Sequence, residues 1–200
     1  MGTVVALHGF TRSPSHLVAF SEACQRRGWS CVRPQLAPRW LPILMNDRRH
    51  LSAVARRIAD SGLLDGPVVI VGHSAGAASA TWIAPQLIDA GIDLRGLVYV
   101  DGNDSPNRLI ERSWSRIESL PVRAIRAPPS PCNRHGRLAA FLEDKRPGSA
   151  VEIAGSGHGD IEMTGASVYR RVCQDTSGVP EWRAVQTAVL DAVGSLLEDG

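Results

Sequence analysis

Pro67-Val68-Val69-Ile70-Val71-Gly72-His73-Ser74-Ala75-Gly76 joins an unbroken apolar run to a glycine-flanked serine. Val68 to Val71 are β-branched and follow a Gly-Pro pair, which reads as a strand buried on both faces of a parallel sheet. The Ala-rich segment after Gly76 reads as a helix. A serine on the sharp turn between such a strand and helix is a nucleophile elbow. The two glycines spare a tight turn from side chains that would strike the neighbouring strand and helix. Ser74 then stands at the carboxyl edge of the sheet, at a helix N-terminus whose free N–H groups favour negative charge. A bare G-x-S-x-G also arises in glycine-rich turns that only pack, so the rest of the chain must supply the chemistry.

Two other segments do so. Thr3-Val4-Val5-Ala6-Leu7 is a second buried-strand run and ends in His8-Gly9-Phe10. An acyl-transfer serine needs a pair of N–H donors to hold an oxyanion. Ala75 supplies one and Phe10 the other, with Gly9 allowing the backbone to come close. His8 is expected to pack beneath this loop. Late in the chain, a strand over 149–154 leads into Gly155-Ser156-Gly157-His158-Gly159-Asp160. A histidine there can reach the serine, take its proton and return it to a leaving group. His158 is therefore the expected base.

The remaining pattern alternates strands and helices. Helices are expected at about 14–27, 47–59, 75–90 with a kink at Pro85, 107–119, 136–143 and from Pro180 to about Leu197. Strands are expected at 3–8, 29–33, 68–71, 94–100, 122–125 and 149–154. Alternation of this kind predicts one α/β domain over residues 1–200, with a doubly wound, mostly parallel six-stranded sheet.

This arrangement resembles the α/β-hydrolase superfamily over essentially its whole length. It is similar to a minimal, lidless member without the antiparallel strands that usually precede the first central strand. The resemblance implies a nucleophile, acid, histidine order. It usually places the acid after the strand at 122–125, but Arg126 to Arg134 contains no Asp or Glu. Leu97-Val98-Tyr99-Val100 ends instead in Asp101-Gly102-Asn103-Asp104. Lipases of the pancreatic type and the chlorophyllase-like group carry the acid at that position. Asp101, leaving a buried strand, can hold one imidazole tautomer. Asp104 is the alternative, with helix capping as its competing role.

Composition bounds the rest. The chain has 200 residues and a formal net charge of +2. Neither a nucleic-acid stripe nor a membrane-length apolar run is present, so neither partner is expected. Strand 3–8 begins at once, so no signal peptide is expected. Cys24, Cys31, Cys132 and Cys173 lack metal-site spacing and are expected as free thiols in a reducing cytoplasm, with a Cys132–Cys173 bridge as the alternative. Phe10, Arg12, Trp40, Leu41, Trp114 and Met163 could line a pocket, and Arg12 could meet an anionic group. The expected substrate is a small-molecule ester, with no metal or cofactor required. Thioester hydrolysis, acyl transfer and a non-catalytic ligand-binding role remain open.

Overall fold

The computed structural model describes residues 2–162, 172–173 and 175–198. In chain order the strands are β1 (Thr3–Leu7), β2 (Ser30–Val32), β3 (Val68–His73), β4 (Leu94–Val100), β5 (Val122–Arg126) and β6 (Ala150–Glu152). The helices are α1 (Val18–Arg26), α2 (Arg48–Ala59), α3 (Gly76–Asp89), α4 (Leu109–Ser113), α5 (Arg137–Lys145) and α6 (Val179–Glu198). One sheet runs in the order β2-β1-β3-β4-β5-β6, and every pairing in it is parallel. The expected doubly wound α/β architecture is present.

Alternation along the central strands builds two cores. Val5, Leu7, Ile70, Leu97 and Tyr99 point to the side covered by Leu51, Val54 and Ile58 of α2 and Ile83 and Leu87 of α3. Val4, Ala6, Val69, Val71 and Val98 point to the other side, against Phe20 of α1 and Val185, Val189 and Val193 of α6. Each fully buried Val, Leu, Ile or Phe among them contributes roughly 1.5–3 kcal/mol. Tyr99 needs a partner for its buried hydroxyl and finds Thr81 Oγ1 at 2.6 Å. The chain leaves β1 toward β2 and then returns to place β3 on β1's opposite edge. The crevice above this reversal, at the carboxyl ends of β1 and β3, is where ligands bind in open α/β sheets.

Local chemistry sets the helix ends. Asp47 accepts a hydrogen bond from His50 N at 2.8 Å and caps α2. Pro14 opens a short 3-10 turn that runs into α1, within the helix expected at 14–27. The helix expected at 107–119 is shorter. Arg108 is left-handed at φ +54°, so α4 begins only at Leu109, and a 3-10 turn replaces helix over Trp114–Arg116. α3 runs through Pro85.

The free-thiol expectation fails for one pair. Cys132 and Cys173 form a disulfide across a sequence separation of 41 residues, whereas Cys24 and Cys31 are free. The bridge removes one reason for expecting a reducing compartment. Among the described residues, no helix is long and apolar enough to cross a membrane. Closing a loop of this length restricts the unfolded chain. Cys132→Ser should therefore lower the unfolding free energy by about 2–4 kcal/mol. Urea denaturation checks this, and a dithiol reductant should shift wild type to the variant's midpoint.

Candidate active site

Ser74 follows the last residue of β3 and has φ +53°, in the left-handed region. The turn is possible because of its glycines. A Cβ on Gly72 would lie 2.6 Å from Gly76 O, and one on Gly76 would lie 2.5 Å from Leu7 O. Backbone hydrogen bonds then fix the serine. Its N–H donates to Val100 O at 3.0 Å, and its carbonyl accepts from Ala77 N and Asn103 N at 3.0 Å each. The elbow is thereby tied to the end of β4, which carries Asp101.

The three residues nominated by the sequence meet in one buried chain. Ser74 Oγ lies 2.9 Å from His158 Nε2. His158 Nδ1 lies 2.5 Å from Asp101 Oδ2. Ser74, His158 and Asp101 are all buried. The consistent proton placement has Ser74 donating to Nε2 while Nδ1–H donates to Asp101. In that arrangement the lone pair of Nε2 faces Ser74 Oγ.

Asp101 is itself held firmly. It sits at φ +42°, a left-handed conformation that Asp tolerates better than most residues. Its N–H donates to Ile125 O at 2.7 Å. Its Oδ1 accepts from Ala127 N and from Asn133 Nδ2, each at 3.0 Å. Asn133 is buried, and its Oδ1 accepts from Ser130 N and Gly136 N at 2.8 and 3.1 Å. One amide thus folds the Pro-rich loop and orients the carboxylate. The loop after β5, where the resemblance usually places the acid, supplies hydrogen-bond partners to Asp101 instead. Sequence reasoning did not single out Asn133. The only signal was its place in a loop lacking the expected acid.

Asp104 takes the capping role. Its carboxylate accepts from Ser105 N, Ile110 N and Glu111 N at 2.7, 2.9 and 3.2 Å.

The loop after β1 lies against Ser74, since a Cβ on Gly9 would sit 3.1 Å from Ser74 Cβ. His8 supports that loop. Its Nε2 accepts from Leu36 N at 3.1 Å, which leaves Nδ1–H to donate to Gly9 O at 3.0 Å. Burial lowers the His8 pKa, in keeping with this neutral tautomer. Ala75 is the N-cap of α3, so its N–H faces the same end of the sheet. Phe10 is partly exposed in the adjoining loop.

Two of the pocket candidates make contacts within the protein. Arg12 is engaged by Glu162, with Nε 3.0 Å from Oε1. Trp114 belongs to the core, packed edge-on against Phe141 with ring centroids 5.4 Å apart. Its apolar surface is better satisfied there than at a pocket mouth. Trp40 stands 81% exposed in the proline-rich loop. Met163 lies outside the described residues. A groove of about 880 Å³ runs beside β2, lined by residues such as Cys31, Arg33, Val54 and Arg57, and contains none of the three hydrogen-bonded residues. Nothing in it marks it as a reaction site. Among the described residues, no cluster of three or more His, Cys, Asp or Glu is arranged to hold a metal ion.

The sequence pattern of the alpha/beta hydrolase family matches residues 4–199. No curated protein sequence matches the chain. Solved structures of the same fold include a protein of the alpha/beta hydrolase superfamily from Xanthomonas campestris. Its TM-score is 0.65 and its identity 20%, covering 98% of this chain and 99% of that one. Tomato methylketone synthase I, complexed with 2-tridecanone, aligns with a TM-score of 0.64 at 12% identity, covering 98% of each chain. A pyrethroid hydrolase from Sphingobium faniae aligns at 0.58 and 13%, covering 97% of this chain and 98% of that one. At these identities the likeness establishes the fold alone.

The capping geometry separates the two aspartates. Asp104→Ala should cost about 1 kcal/mol of stability through loss of the α4 cap, with turnover of an ester unchanged. Thermal melts and initial rates on the same preparation check both halves.

Proposed function

Since this chain belongs to the alpha/beta hydrolase family, we propose that it is a serine hydrolase acting on a carboxylic ester of a small or medium-sized molecule. The observation that carries the reading is the position of His158, with one ring nitrogen on Ser74 Oγ and the other on Asp101. Ser74 Oγ attacks the carbonyl carbon while His158 Nε2 removes its proton. Asp101 accepts from Nδ1–H and stabilises the imidazolium as it forms. The N–H groups of Phe10 and Ala75 are the proposed donors to the tetrahedral oxyanion. His158 then protonates the departing alkoxide and an acyl-enzyme is left. Water, deprotonated by the same nitrogen, releases the acid. No step calls on a metal or cofactor.

Thioester cleavage and acyl transfer use the same intermediate, and fold alone does not choose between them. The tomato protein of similar fold is named a synthase. The oxygen ester is preferred as the simplest substrate for this array. A non-catalytic protein on the same scaffold would keep the residues but lack the reactivity.

Two measurements test the proposal. A fluorophosphonate should label wild type on Ser74 and leave Ser74→Ala unlabelled. Failure of wild type to react beside a reactive control hydrolase would contradict the reading. Asp101→Asn should lower kcat on a p-nitrophenyl ester by about 10³–10⁴-fold, because the wrong imidazole tautomer would then face Ser74. A loss under tenfold would move the acid elsewhere.

A further inference from the structure

A second buried polar cluster lies behind the histidine loop, and the proposed reaction uses none of its side chains. It joins Arg12 from the loop after β1, His73 at the end of β3, and Glu162 from the 3-10 turn at Asp160–Glu162. Glu162 is only 2% exposed. Its Oε1 lies 3.0 Å from Arg12 Nε and 3.6 Å from His73 Nδ1. His73 Nε2 lies 2.7 Å from the backbone carbonyl of His158. The two imidazoles stand with centroids 5.2 Å apart.

We propose that Arg12, Glu162 and His73 form a buried clamp that holds His158 by its backbone and ties the histidine loop to the proposed oxyanion loop. Resting on the hydrolase reading above, the inference makes Glu162 and His73 positioning residues for it. Asp101 fixes the His158 ring at Nδ1, but a ring can keep that contact while its backbone slides. The hydrogen bond from His73 Nε2–H to the His158 carbonyl removes this freedom. Loss of even a fraction of an ångström of registry between base and nucleophile is costly in rate.

The clamp dictates where its protons sit. Burial, followed by the nearby His158, holds His73 down at about 3. His73 is therefore neutral, with its proton on the nitrogen that faces the carbonyl. Its Nδ1 presents a lone pair to Glu162. An ionised carboxylate would set lone pair against lone pair, whereas a carboxylic acid can donate, closing the 3.6 Å gap by a small rotation. Burial pushes Glu162 up to about 7, against the opposing pull of Arg12 and His158. The groups facing the pair are thus Arg12, His158 and, toward His73, His8. Asp160 in the same turn is turned to Gly157 N and Ser177 Oγ, and Asp101 sits at the far nitrogen of the His158 ring.

The sign of the proton linkage follows. Between the ordinary values of 4.5 for Glu and 6.5 for His, the folded pair keeps one proton, on Glu162. The unfolded pair also keeps one, on His73. Protons bound are equal, so this pair gives wild-type stability no slope in that window. Below 4.5 the unfolded pair binds a second proton and stability is lost as pH falls. In Glu162→Gln only His73 titrates. Its depressed value makes stability fall as pH drops from 6.5, because the unfolded state alone takes up the proton.

The test compares wild type, Glu162→Gln and Glu162→Ala. Both contacts fall on Oε1, so glutamine matches the protonated acid in shape and charge and can donate to His73 Nδ1 from that position. Glu162→Gln should keep kcat on a p-nitrophenyl ester within about threefold, and Glu162→Ala should lose about tenfold or more with KM changed less than twofold. From pH 6.5 to 4.5 the folding constant of Glu162→Gln relative to wild type should fall about tenfold per pH unit. That stability comparison needs no turnover, so it decides the matter even where Glu162→Ala does not fold. Parallel profiles for wild type and Glu162→Gln across this window would overturn the clamp. So would full kcat in a folded Glu162→Ala, or equal losses in the two variants. Fluorophosphonate labelling of wild-type Ser74 in the same experiment keeps failure of the hydrolase reading distinct.

Discussion

Everything at the carboxyl edge of the sheet depends on Ser74 being held at a positive φ between a strand and a helix. An L-residue enters that region at a cost, and the surroundings must over-determine it. Here they do so by close approach. Gly76 passes so near the carbonyl of Leu7 that any side chain would collide with it. The start of α3 is thereby locked beside β1. Ser74 is hydrogen-bonded through its backbone to Val100 and Asn103, which flank Asp101 along the chain. The turn at Ser74, the start of α3 beside β1 and the end of β4 at Asp101 are thus fixed by backbone contacts.

Around this rigid edge the polar groups are arranged in two ranks. His158 meets Ser74 and Asp101 through its ring, and it meets His73 through its carbonyl. Asp101 is held in turn by Ala127 and Asn133. The loop carrying Asn133 is joined through Cys132 to Cys173, which lies beyond the histidine loop in the chain. Buried polar groups are costly when unpaired and rigidifying when satisfied. His73 and Glu162 are buried beside this array, with Nδ1 3.6 Å from Oε1.

The parts legible in the sequence are those where a local rule acts within a few residues. β-branched runs, Gly-Pro boundaries and the glycines around Ser74 marked the strands and the elbow. The Val-Asp ending of β4 pointed to Asp101, and the Gly-flanked loop to His158. The contacts that were not legible join residues far apart in the chain. Asn133 reaches Asp101 over 32 positions. Arg12 was a pocket candidate because it lies just after the loop that follows β1. Its partner Glu162 arrives only when the sheet brings the first and last loops together. Trp114 looked like a pocket residue until α5 supplied Phe141. The free-thiol expectation held for Cys24 and Cys31 and failed for Cys132 and Cys173, whose bridge is a tertiary contact.

The central claim is that one prepared carboxyl edge delivers a nucleophile, a base and an oxyanion cradle to the same carbonyl. A crystal structure of the protein after reaction with a phosphonate ester tests all three together. The account predicts phosphorus bonded to Ser74 Oγ, with the phosphoryl oxygen accepting hydrogen bonds from the N–H groups of Phe10 and Ala75. Phosphorus on another residue, or a phosphoryl oxygen turned away from both donors, would contradict it.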